Sequence, residues 1–124
     1  MRRLQTAYLA AGLMLCVSAP SFAQDQVSEG KKIVTTQCSS CHSIQPGKNG
    51  AGPSLAGVFG RHAGSLGGFN YSPALKNSGI VWNDQTLDVW LTNPLKDVPG
   101  AHMYFPGTSD AAKRQAIIAY LKTI

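Results

Sequence analysis

The chain has 124 residues, with 11 lysines and arginines against 6 acids, a formal +5, and 13 glycines. That length holds one small domain, and so much loop-forming glycine leaves little material for an unaided core. The mild positive balance is not the footprint of a nucleic-acid binder.

Arg2 and Arg3 precede an apolar run from Ala7 to Val17, too short to span a bilayer comfortably. Ser21-Phe22-Ala23 then sets small residues at the two positions a signal peptidase reads. The pattern predicts an exported bacterial protein whose residues 1–23 are a cleaved signal peptide, leaving one domain over 24–124 and no stable membrane insertion. A retained N-terminal anchor is the competing reading. Lipidation at Cys16 is disfavoured by Leu15, which stands where a small residue is needed. Cleavage would remove Cys16, Met1 and Met14, so the mature chain keeps Cys38, Cys41 and a single methionine, Met103. It would also remove Arg2 and Arg3, leaving 9 basic residues against 6 acids, a formal +3.

Val27, Ile33 and Val34 recur at helical spacing and predict a first helix, with Asp25 or Ser28 near its start, running into Cys38. Gly30 lies inside it, at a cost of ~1 kcal/mol against Ala, which points to close packing on another helix, with a frayed first turn as the competing reading. Next comes Cys38-Ser39-Ser40-Cys41-His42. A thioredoxin-like pair would need a βαβ context, a structural zinc site would need a second cysteine pair, and a plain disulfide would leave the histidine unexplained. A covalent haem explains the two cysteines, their spacing and the histidine. Two thiols with two residues between rise on one side of a porphyrin, and the next side chain falls under the iron, where His42 can ligate it.

Gln45 to Pro53 reads as loop from its glycines and prolines, and Leu55 and Phe59 as apolar anchors in an irregular segment. Ser72 to Gly79 has the serine cap, first-position proline and final glycine of a compact helix. Ile80-Val81-Trp82 is strand-like but very short. Asn83 to Asn93 is a helix with Asn83 as cap, Leu87, Trp90 and Leu91 on one face, and Pro94 as its stop. Leu95 to Gly107 reads as loop. Ser109 is the expected cap of a last helix running to the end, with Ile117, Tyr120, Leu121 and Ile124 on one face. The fold class is therefore all-α: helices folded around one haem, with loops closing over its faces.

The sixth position on the iron decides between carrier and catalyst, because an open position invites oxygen or peroxide chemistry. Met103, His62, His102 and the lysines are candidates. Methionine in a loop is usually packing, but Met103 is the sole methionine of the mature chain and sits between Pro99-Gly100 and Pro106-Gly107. His102 is its best rival.

From about Glu29 to Lys122 the chain resembles a class I c-type cytochrome, of the mitochondrial cytochrome c and bacterial cytochrome c2 type. Beyond the pentad, the resemblance rests on Gly52-Pro53-Ser54-Leu55, Phe59-Gly60-Arg61, Gly68-Phe69-Asn70-Tyr71-Ser72, Gly79-Ile80-Val81-Trp82, Asn93-Pro94, Pro99-Gly100-Ala101-His102-Met103 and Ile118-Ala119-Tyr120-Leu121-Lys122. It implies about four helices around one covalent haem c, with the first and last helices crossing at Gly30 and Tyr120. It implies Cys38 and Cys41 as thioether residues, His42 and Met103 as iron ligands, and the Pro53 carbonyl as acceptor for the imidazole N–H. Arg61, Tyr71 and Trp82 match residues around a haem propionate. The chain departs from the family in Trp90, where many relatives have tyrosine, and in Leu75 and Ala101, which replace polar residues. These changes predict a drier distal side. Gln37 and Leu95 stand where lysine is frequent, so the basic docking ring is thin.

The resulting expectation is a soluble periplasmic monohaem carrier of single electrons, a monomer and not an enzyme. Its partners would be redox proteins, membrane-bound or soluble, such as a bc1-type complex, oxidases or dehydrogenases. Alternatives are a cytochrome subunit held by a redox enzyme, and a peroxidase-like protein with a labile distal ligand.

Overall fold

The computed structural model describes residues 12–124; Arg2, Arg3 and the start of the apolar run lie outside the described residues. Its helices are α1 (Phe22–Ile33), α2 (Pro73–Lys76), α3 (Asp84–Thr92), α4 (Pro94–Asp97) and α5 (Ala111–Leu121), and a π-helical turn (Val34–Cys38) continues α1. There is no strand among the described residues; His62 and Val81 form one isolated antiparallel bridge. The short apolar run 80–82 is thus spent on pairing with the Arg61 backbone: Trp82 N–H donates to Arg61 O at 2.9 Å.

α1 starts earlier than Asp25 or Ser28 would place it. Ser21 precedes it without a side-chain capping bond, while Asp25 in the first turn and Lys31 and Lys32 in the last suit the helix dipole. The predicted cleavage point after Ala23 therefore falls in the first turn of α1. Leu13, Met14, Leu15, Val17 and Phe22 are all exposed, and none of them joins the core of the described residues.

α1 and α5 make the main helix–helix contact. Gly30 is what allows it. A Cβ there would run into the Ala116 carbonyl oxygen and lie 2.8 Å from Tyr120 Cβ. Ile33 and Val34 meet Ala116, Ile117, Ile118, Tyr120 and Leu121 in one buried cluster that also takes in Leu87, Trp90 and Leu91 of α3.

The caps read from the sequence hold at α2, where Ser72 Oγ accepts from Leu75 N, and at α3, where Asn83 and Thr86 form a reciprocal capping box. Two readings change. Segment 95–107 is not all loop: Asn93 accepts from Lys96 N at 3.1 Å and Pro94 opens the one-turn helix α4. The cap of α5 is Asp110, not Ser109, with Lys113 N donating to Asp110 Oδ1 at 3.2 Å, and α5 ends at Leu121.

Candidate functional site

The site begins where α1 gives way to the π turn. Ser39 N–H reaches back five residues to Val34 O at 3.0 Å, and Ser39 Oγ donates to the same oxygen at 3.1 Å. Such turns mark a local slip of the helix and are frequent at functional sites. This one delivers Cys38 as the chain leaves the helix. Cys41 N–H and His42 N–H then both fold back on Cys38 O, at 3.1 and 2.9 Å. Neither thiol is in a disulfide. Burial pushes the Cys38 thiol up, and neighbouring Cys41 adds to that.

His42 is oriented by the loop that follows. Its Nδ1 lies 2.7 Å from Pro53 O. A carbonyl only accepts, so Nδ1 carries the hydrogen and Nε2 keeps the lone pair. Burial pushes the imidazole below the usual histidine range; the Pro53 bond opposes that, and the Arg61 charge adds to it. Gly52 is the spacer beside the ring: a Cβ there would overlap His42 Cε1 and lie 2.6 Å from Nδ1. Backbone bonds from Gly52 N to Cys41 O at 2.9 Å and from Leu55 N to Ser43 O at 2.8 Å stitch loop 50–55 to the pentad.

Arg61 Nη2 donates to Ser54 O at 3.0 Å and its Nη1 to Ala56 O at 3.3 Å. Burial pushes its guanidinium down, and nearby Tyr71 partly offsets this. Arg61 is thus close enough to feel both His42 and Tyr71. Tyr71 is buried and meets Phe69 edge-on at 4.8 Å between centroids. Trp82 is buried against Trp90 at 5.3 Å. Neither the Tyr71 hydroxyl nor the Trp82 indole N–H bonds another described residue, and neither is an orphaned buried atom, so both donors stay accessible although their rings are buried.

Met103 is half-buried on the segment between α4 and α5 and packs against the core cluster. Both ends of that segment are pinned. Gly100 passes so close to α2 that a Cβ on it would be 3.2 Å from Ala74 Cβ. At the other end Thr108 N donates to Leu91 O at 2.9 Å, and Gly107, at φ +86°, leaves room for the Thr92 carbonyl. His102, beside Met103, is exposed, as is His62.

The donor set fits a covalently bound haem. Two unpaired thiols, an imidazole with one committed and one free nitrogen, and a thioether are the ligands and anchors such a group uses. The Tyr71 and Trp82 donors have hydrogens to give to carboxylates. Sequence reasoning missed Asn49, whose Oδ1 takes the Ser54 N–H at 2.9 Å behind the Pro53 carbonyl; an asparagine in a glycine-rich loop reads as turn and nothing more.

The profile of the cytochrome c family matches residues 27–124. Cytochrome c2 of Blastochloris viridis is 47% identical over 105 residues, covering 84% of this chain and 81% of that protein. Cytochrome c2 iso-2 of Magnetospirillum fulvum is 48% identical over 87 residues, 70% of this chain and 91% of that protein. Among solved structures, cytochrome cH from Methylobacterium extorquens superposes with a TM-score of 0.74 at 46% identity, over 79% of this chain and 98% of that one.

Proposed function

The chain belongs to the cytochrome c family as a class I c-type cytochrome and carries one covalent haem c, and from that premise we propose that it is a periplasmic electron carrier whose iron would be held by His42 and Met103. Its family are electron carriers with redox partners, not enzymes. The haem supplies a single iron that takes up and gives back one electron.

The chain's own residues set the terms of that exchange. Cys38 and Cys41 would hold the group covalently, and His42 Nε2 would offer its lone pair to the iron. The observation that carries this reading is the 2.7 Å bond from His42 Nδ1 to Pro53 O, which fixes tautomer and ring direction at once. Met103 supplies a soft, uncharged sulfur, a donor that favours the reduced metal. Its segment is pinned at both ends, so both ligands keep their places and little reorganises when charge changes. Arg61, Tyr71 and Trp82 serve the propionates as charge and hydrogen-bond donors.

Export is supported by the exposed apolar stretch 13–22, which adds nothing to the core. Cleavage after Ala23 removes only exposed residues from the first turn of α1; the first buried residue of α1 is Gly30. No helix among the described residues is long and apolar enough to cross a membrane. Partners meet the monomer briefly, through a small interface with modest electrostatic steering. A second reading, a subunit held by a redox enzyme, draws on the exposed side chains of Leu95 and Tyr104.

Mass spectrometry and redox titration of the protein recovered from the periplasm test the proposal. The expected species starts at Gln24, retains one haem after acid denaturation, runs as a monomer and titrates as a one-electron couple. An unprocessed chain, haem lost to acid, or co-purification in a stable complex contradicts it.

A further inference from the structure

Pro53 and Ser54 share one planar peptide group, and both of its polar ends are engaged. Its carbonyl faces His42 Nδ1 at 2.7 Å. Its N–H, carried by Ser54, donates to Asn49 Oδ1 at 2.9 Å. We propose that Asn49 is a positioning residue for His42: acting through the single peptide 53–54, it fixes the direction and strength of the bond on the imidazole and so holds down the reduction potential of the haem. The inference rests on His42 as an axial ligand.

The geometry leaves Asn49 little ambiguity. A backbone N–H only donates, so the amide oxygen and not the nitrogen must face Ser54. Because the peptide is rigid, holding its N–H holds its carbonyl as well. Pro53 has no N–H, so the preceding peptide offers no second handle on this carbonyl. The other anchors of the loop act elsewhere. Ser54 Oγ donates to Gln45 O at 2.7 Å, and Arg61 Nη2 donates to the next carbonyl, Ser54 O, at 3.0 Å. Asn49 alone among the described residues hydrogen-bonds the far end of the peptide that His42 uses.

The sign follows from polarisation. A peptide whose N–H is already bonded is a stronger acceptor at its oxygen. A stronger acceptor on Nδ1–H makes the imidazole a more electron-rich donor, and such a donor favours the ferric state. Removing Asn49 therefore raises the potential. Asn49 is exposed, so its replacement leaves the core intact.

The test uses the haem-loaded protein, read by redox titration and by NMR of the His42 ring in the ferrous state. Asn49→Leu removes the acceptor, Asn49→Asp keeps one, and Asp110→Ala weakens the α5 cap far from the loop. At fixed ambient potential Asn49→Leu should raise the ferrous-to-ferric ratio roughly two- to four-fold, the scale expected when one bond in a chain strengthens its neighbour by roughly 10–30%. It should also move the His42 Nδ1–H resonance upfield. Asn49→Asp, whose carboxylate accepts more strongly, should lower that ratio and move the resonance downfield. Asp110→Ala should lower Tm and leave the His42 resonance in place. An Asn49→Leu protein with native potential and native Nδ1–H resonance overturns the proposal while His42 remains a ligand. A native protein whose His42 ring shows no shift from the haem overturns the ligand reading, and the proposal with it.

Discussion

At the scale of the residue, the site is shaped as much by missing atoms as by present ones. Gly52 packs against the His42 ring with no room for a methyl group, the nearest ring nitrogens lying 2.6 and 2.7 Å from where its Cβ would be. The neighbour is a ring already held by Pro53 O, so it has no free direction in which to yield. Gly52→Ala is therefore expected to destabilise the folded protein by about 1–3 kcal/mol and to lower the yield of haem-loaded chain, as read by denaturant unfolding and by haem absorbance per mole of protein. Native stability and haem content in that variant would mean that the ring is free to move.

At the scale of the element, Gly30 and Gly107 do for helices and loops what Gly52 does for a ring. On an exposed helix face, Gly→Ala gains about 1 kcal/mol from propensity. At Gly30 the sign reverses, because the new methyl would occupy the space of the Ala116 carbonyl on α5. Gly30→Ala should thus lose stability by about 1–3 kcal/mol, and thermal unfolding reads the sign directly. Gly107→Ala combines a φ of +86° with a clash against the Thr92 carbonyl. It should loosen the segment that carries Met103, speeding hydrogen exchange at Thr108 N–H more than in α1. Much of this element layer was legible. Ser72 and Asn83 declare their helices by capping chemistry, and Gly30 declares a close crossing by being a glycine in an apolar helical pattern. What escaped is too short or too local for periodicity. α4 is a single turn, announced only by Asn93-Pro94. Ser109 and Asp110 are adjacent capping residues of equal merit. The π turn is a backbone slip without a residue signature, and the Asn49 contact depends on a loop path that no spacing rule reports.

At the scale of the molecule, α3 is tied to α5 and to its C-terminal cap by two ion pairs, Arg114 Nε to Asp88 Oδ1 at 2.7 Å and Lys122 Nζ to Asp84 Oδ1 at 2.6 Å. They are not equal. The Arg114 side chain is only 12% exposed and also donates to Thr108 O at 3.0 Å, whereas Lys122 is 42% exposed. Arg114→Gln should cost about 1–3 kcal/mol, since a bonded charge and its backbone contact go together. Lys122→Gln should cost less than about 1 kcal/mol and lose that effect in high salt. Denaturant titrations of both variants at two salt concentrations separate the pairs. These ties, the α1–α5 crossing and the pinned Met103 segment form a frame that would hold two iron ligands in place while one electron comes and goes. We propose that those ligands are His42 and Met103. The visible spectrum of the oxidised, haem-loaded protein tests it most directly, through the weak far-red charge-transfer band that a methionine sulfur gives on ferric haem. The band should be present in the native protein and absent from Met103→Ala. Its absence from native protein, or its survival in Met103→Ala, would contradict the assignment.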